Sequence, residues 1–124
     1  MKLLWTLSLC VVFCTNSFPE TIYVPLDHAT VQEAIDASAQ GDTILVAQGT
    51  YVENLDFKTK EVVVRSIHGP GFTVIDGNQN GSAVTFSDYV GNGAMLDGFT
   101  ITNGIGRLDS DTTGLYCGGG ISCF

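Results

Sequence analysis

Val74-Ile75-Asp76-Gly77 and Met95-Leu96-Asp97-Gly98 are one four-residue pattern written twice, 21 positions apart, and Leu55-Asp56 is a weaker copy 20 positions before Ile75-Asp76. In each, apolar residues run into an Asp where the chain has to bend, and the short Asp side chain favours such bends. A second set, Ile44, Val63 and Val84, recurs at intervals of 19 and 21 residues. Two interleaved columns at one period are the mark of stacked supersecondary units. A β-sandwich also alternates short strands with turns. Nothing, however, obliges a sandwich to repeat a turn identity once per period, so a coiled stack is the better reading.

Outward from that stretch the text continues as strand and turn. Thr43 to Val46, Tyr51-Val52, Val62 to Val64, Phe72 to Ile75, Ala83 to Phe86, Ala94 to Leu96 and Phe99 to Thr102 are β-rich. Breakers such as His68-Gly69-Pro70-Gly71 and Asp76-Gly77-Asn78 separate them. Phe99 to Thr102 follows Leu96 too closely to be the next member of its column. No helical period intervenes, which argues against an α/β layout. One helix is expected near the start, over Thr30 to Ala39, after a short strand at Thr21 to Val24. Thr30 is its N-cap and Glu33 its capping-box partner; Val31, Ala34, Ile35 and Ser38 share a face, and Gly41 is the stop. Such a helix would cover the open apolar end of the stack.

Residues 1–17 read as a secretory signal: Lys2, an apolar run from Leu3 to Phe13, then small polar residues before Phe18. The run is shorter than the roughly 20 residues a membrane span needs. Residues 18–42 then form the entry strand and capping helix, and 43–124 the coils. All 13 acidic residues lie after the signal, against Lys58, Lys60, Arg65 and Arg107, for a net charge of −9. Nucleic acid is excluded as a partner for want of a basic patch, and anionic lipid is disfavoured for the same reason. Cys117 and Cys123 remain as an exported pair compatible with a disulfide.

The order of the capped helix, Gly41-Asp42-Thr43-Ile44-Leu45-Val46-Ala47, Gly49-Thr50-Tyr51-Val52-Glu53-Asn54, Val74-Ile75-Asp76-Gly77, Leu96-Asp97-Gly98-Phe99-Thr100-Ile101 and Gly118-Gly119-Gly120-Ile121 resembles a known family. It is similar to the start of right-handed parallel β-helix proteins of the pectin-lyase-like superfamily, and among them to secreted bacterial repeat proteins with Gly-Gly-Gly-Ile coils. The resemblance covers about residues 21–124. It implies an all-β right-handed parallel β-helix, a solenoid with one N-terminal capping helix. It also implies an N-terminal fragment of a longer chain, because Ile121 opens what reads as a further coil.

The candidate site residues follow from the stack. Asp56, Asp76 and Asp97 as one column would sit about 4.8 Å apart, near the carboxylate spacing of a retaining glycosidase. Like charges that close would leave an acid beside a base. The plainer reading is Asp-Gly turn chemistry. Lyases of the superfamily imply calcium-holding carboxylates and a basic side chain. Arg65 is the candidate base, although it sits in no lyase motif and reads as a solvated strand residue. The hydrolase motifs are absent, and Ser66-Ile67-His68-Gly69 is a loop. Asp109 and Asp111 begin a calcium-loop pattern, but Gly120 stands where its bidentate acid belongs. Tyr51, Tyr89 and Tyr116 are candidate sugar-stacking rings.

Two functions are therefore expected. The first is a non-catalytic secreted or cell-surface solenoid that binds polysaccharide or another surface partner. The second is a polysaccharide lyase or glycoside hydrolase with most of its site on other coils, with Ca2+ as the only cofactor in view. Self-association through an uncapped C-terminal coil near Ile121 is also expected.

Overall fold

The computed structural model describes residues 18–87, 90–106 and 119–123. Ten short strands and one helix follow in order: β1 (Thr21–Val24), α1 (Val31–Ala37), β2 (Thr43–Val46), β3 (Gly49–Val52), β4 (Leu55–Asp56), β5 (Val63–Ser66), β6 (Thr73–Asp76), β7 (Val84–Phe86), β8 (Met95–Asp97), β9 (Thr100–Thr102) and β10 (Ile121–Cys123). The fold is mostly β. Its strands form three sheets, β1-β2-β5-β8, β3-β6-β9 and β4-β7-β10, and every pairing is parallel. From β2 onward the chain visits the first, second and third sheet in that order, three times over. Each strand pairs with its counterpart one pass later.

Like side chains therefore meet, but not in the columns expected above. Ile44 aligns with Val64, one residue past Val63, and Val64 with Leu96. Leu55 aligns with Val84 and Ile121 in the third sheet. Ile75 aligns with Tyr51 and Ile101 in the second. Leu55, Ile75 and Leu96 thus belong to three different sheets that face one interior. The even period of about twenty residues mixed sheets, because passes differ in length. Thr43 pairs with Val63, 20 positions on, whereas Val63 pairs with Met95, 32 positions on. Phe99 to Thr102 also finds its place, as β9 on top of β6.

The interior holds Ile22, Val24, Ile44, Val46, Leu55, Phe57, Val62, Val64, Ile75, Ala83 and Val84, all buried. The alternation of the first sheet is clean, with Thr43 and Leu45 half-exposed and Ile44 and Val46 buried, as a strand with one wet face requires. Phe57 is fully buried, and its ring stacks on Phe86 at a centroid distance of 4.3 Å. Two corners are tightly built, one around buried hydroxyls and one around a glycine. Ser66 Oγ donates to Thr73 Oγ1 at 2.7 Å and accepts the Gly69 N–H at 3.0 Å. Gly77 is buried where a Cβ would meet Ala83 and the Asn103 carbonyl, both at 3.0 Å.

α1 closes the first pass with Val31, Ala34 and Ile35 buried. Thr30 Oγ1 accepts the Glu33 N–H at 3.1 Å, as the sequence suggests. Two further N–H groups are satisfied from the sheet side, since Glu53 accepts from Val31 and Gln32 at 3.0 Å each. The helix is shorter than expected. It ends at Ala37, with buried Ser38 extended and its hydroxyl donating to the Ile35 carbonyl at 2.6 Å. Gly41 lies beyond the end, in the turn that leads to β2. There buried Asp42 accepts from Glu20 N at 2.9 Å and Ala39 N at 2.8 Å, tying strand entry to helix exit.

Phe57→Ala is expected to cost about 3–5 kcal/mol and Ile75→Val about 0.5–1.5. Val52→Ala, at a side chain 59% exposed, should stay within about 0.5 kcal/mol. Urea unfolding of the three variants checks this ordering, and equal losses would contradict the packing described.

Candidate functional site

In a one-face-wet sheet the groups available to a partner are the outward residues of aligned strands. On the first sheet the register places Tyr23, Leu45, Arg65 and Asp97 in one outward row. Thr21, Thr43, Val63 and Met95 form the row beside it. At the usual strand spacing a four-strand row is about 14 Å long. Tyr23 is 42% and Met95 47% exposed. Arg65 Nε donates to Asp97 Oδ2 at 2.9 Å, with both side chains about half exposed. The other guanidinium N–H groups make no protein hydrogen bond among the described residues, so a planar donor edge faces outward.

The other described cations are committed elsewhere. Lys58 Nζ pairs with Asp36 Oδ1 at 2.8 Å, and Lys60 Nζ donates to the Asp36 and Ser38 carbonyls. Gln32 Nε2 joins the same cluster at Asp36. The hydrogen bond from Lys58, with that from Gln32, holds the Asp36 carboxyl below its ordinary range, and Asp36 in turn raises Lys58. This network fastens α1 to the chain after β4. It is structural.

The expected carboxylate column is not assembled. Asp56 aligns with Thr85 in the third sheet, Asp76 with Val52 and Thr102 in the second, and Asp97 with Arg65 in the first. Each does local work. Asp56 Oδ1 accepts the Lys58 N–H and Asp76 Oδ1 the Asn78 N–H, both at 2.8 Å. These are side-chain turns onto residues with φ of 54° and 51°. Asn103 Nδ2 adds a bond to Asp76 at 3.1 Å. Turn chemistry is what the structure assigns to Asp56 and Asp76, and an ion pair to Asp97. Arg65 is the solvated strand residue expected, and His68 an exposed loop residue.

Tyr51 is half-buried rather than an open stacking ring, and its hydroxyl donates to the Ala47 carbonyl at 2.9 Å. The aromatic ring on the outer face is Tyr23, which the sequence reading passed over. Its place in an alternating strand, opposite buried Ile22 and Val24, was the available signal. Among the described residues no three His, Cys, Asp or Glu groups come together as metal ligands. Asp109, Asp111, Cys117, Tyr89 and Tyr116 lie outside the described residues. Cys123 is exposed and forms no disulfide among the described residues. No described helix is long and apolar enough to cross a membrane.

With this geometry in view the chain can be set beside known proteins. It is 35% identical over 103 residues to a protein named "Probable pectinesterase/pectinesterase inhibitor 17" from Arabidopsis thaliana. The match takes in 77% of this chain and 20% of that protein. The chain thus spans about a fifth of the length of the curated relative it matches. No family model matches the chain. The similarity links the chain to a protein named for pectinesterase, and the described strands pair in parallel, as an all-β parallel fold requires.

Burial, and then the nearby Glu53 charge, push the Tyr51 hydroxyl up from its ordinary range. A raised acid pKa favours the protonated folded form. Its contribution is therefore present at neutral pH and declines as pH rises past the unfolded tyrosine value. Absorbance titration of the phenolates should show one late-ionising group that Tyr51→Phe removes, and stability that falls less steeply above pH 10 in that variant.

Proposed function

We propose that residues 18–123 are the opening turns of a right-handed parallel β-helix of the pectin-lyase-like superfamily, exported from the cell, and that these turns bind a pectin-type polysaccharide without performing chemistry. The observation that carries the reading is the register of the first sheet. It lines up an aromatic ring, an aliphatic patch and an Arg–Asp pair on one outward face, while the registers of the other two sheets place Asp56 and Asp76 apart from Asp97. The relative's name supplies the polysaccharide class.

Flat sugar rings present an apolar face and a rim of hydroxyls. Tyr23 and Leu45 suit the first, and the Arg65 and Asp97 side chains suit the second. The net charge of −9 after residue 17 opposes a fully ionised polyuronate beyond the immediate reach of Arg65. Methyl-esterified stretches, which carry no charge, escape that repulsion. The expected ligand is therefore esterified pectin in preference to its de-esterified form. Calcium, if it takes part, would bridge acidic groups and narrow that preference.

The alternative reading is an enzyme, whether lyase, hydrolase or, as the relative's name has it, esterase, with its reacting groups outside the described residues. Affinity electrophoresis against pectins of high and low ester content, with and without calcium, separates the readings when paired with assays for methanol, reducing ends and unsaturated products. Binding should be stronger to the esterified polymer and should fall about tenfold, or about 1.4 kcal/mol, in Arg65→Ala and in Tyr23→Ala. The exposed Arg65–Asp97 pair contributes only about 0.2–1 kcal/mol to folding, so Arg65→Ala should stay folded. Retention by no pectin would refute the binding role, and product formation by this chain would establish the enzyme reading.

A further inference from the structure

The first pass presents three strand edges, β1, β3 and β4, on the side away from the later passes. In a parallel strand alternate residues direct both N–H and C=O to one neighbour, and the residues between them point to the other side. On β1 the inner partner of Thr43 N is Glu20 O and that of Ala47 N is Val24 O, so Thr21 and Tyr23 face outward. On β4, Leu55 N and Phe57 N bond to β7, so Asp56 faces outward. On β3, Gly49 N bonds to Phe72 O and Glu53 N to Asp76 O, so Thr50 and Val52 face outward.

Two of these edges are closed by groups that stand in for a neighbouring strand. Asp27 Oδ2 accepts the Tyr23 N–H at 2.8 Å, and Asp27 N donates to the Tyr23 carbonyl at 2.7 Å. Gln32 Oε1 accepts the Asp56 N–H at 2.8 Å, and Gln32 Nε2 donates to the Asp56 carbonyl at 3.0 Å. Just beyond β4, Gln40 does the same across Thr59 and Glu61. On β1, Thr21 makes no outward backbone hydrogen bond among the described residues. The third edge has no such cover. Neither Thr50 nor Val52 makes an outward hydrogen bond among the described residues, both side chains are exposed, and β3 carries no charge and no proline, the usual devices that protect an edge.

We infer that the free edge of β3 is a strand-addition site for a second copy of this chain. The occupant follows from the pattern. Two outward residues flanking Tyr51 are self-complementary about a two-fold axis, so antiparallel pairing sets Thr50 against Val52 of the other copy twice over and makes four backbone bonds. An uncharged edge brings no like charges together at the seam. The charge on the rest of each copy opposes the approach, and salt screens that opposition. The contact is small, so the dimer is weak and concentration-dependent.

Sedimentation velocity of the full chain from about 1 to about 500 µM tests this, a range suited to a small interface, at about 0.15 M and about 1 M salt. The expected result is a reversible dimer, more populated in high salt, that Val52→Thr retains and Val52→Lys weakens at least about tenfold, since a charge at an edge blocks pairing. Circular dichroism confirms that both variants are folded. A chain that stays monomeric throughout overturns the proposal. So does a dimer indifferent to Val52→Lys, which would place association on β8, β9 or β10 instead.

Discussion

A parallel strand in this protein has its pass-to-pass N–H and C=O groups satisfied only when the equivalent strand of the next pass lies directly on it. Everything else is arranged around that ladder. Because β2, β5 and β8 are one sheet and β3, β6 and β9 another, the side chains of one pass are held over those of the last. The interior becomes a set of aligned rows: Ile44 with Val64 and Leu96, Leu55 with Val84, Tyr51 with Ile75. Hydrophobic burial supplies the driving force and the backbone supplies the alignment.

Corners are where such a ladder is most easily spoiled, since the chain must turn without leaving buried polar groups unpaired. The solutions differ from corner to corner. Between the first and second sheets a Ser66–Thr73 hydroxyl pair is carried inside. Between the second and third, Asn54 Nδ2 gathers the Gly77, Asn80 and Ser82 carbonyls, and Asp76 holds the turn that follows it. No buried side-chain nitrogen or oxygen among the described residues is left without a partner. Two of the aspartates that look catalytic in the sequence, Asp56 and Asp76, are consumed by turns of this kind.

The functional consequence is a division of labour between inside and outside. Rows that face inward are uniform, because they must pack. Rows that face outward are free to vary, and on the first sheet they do: threonine beside valine and methionine, tyrosine and leucine beside an ion pair. The paired strands hold those groups at fixed spacing. The same ladder that builds the face also leaves strand edges, and side chains of Asp27, Gln32 and Gln40 are spent on closing them.

The sequence alone determined the building material. Alternation in Thr43 to Val46, the cap at Thr30, the absence of a second helical period and the Asp-Gly bends were enough to point to short strands and turns that follow one helix. They were also enough to mark Arg65 as solvated, because these are local properties carried by a few adjacent residues. Which row each residue joins was decided only by tertiary structure. Loops of unequal length lie between passes, so a spacing of 20 or 21 residues joined Asp56, Asp76 and Asp97 on paper while the backbone placed them on three sheets. The outward row of Tyr23, Leu45, Arg65 and Asp97 was hidden for the same reason. Its members are 22, 20 and 32 residues apart, and only the hydrogen-bond register, a property of paired strands and not of either strand, brings them side by side.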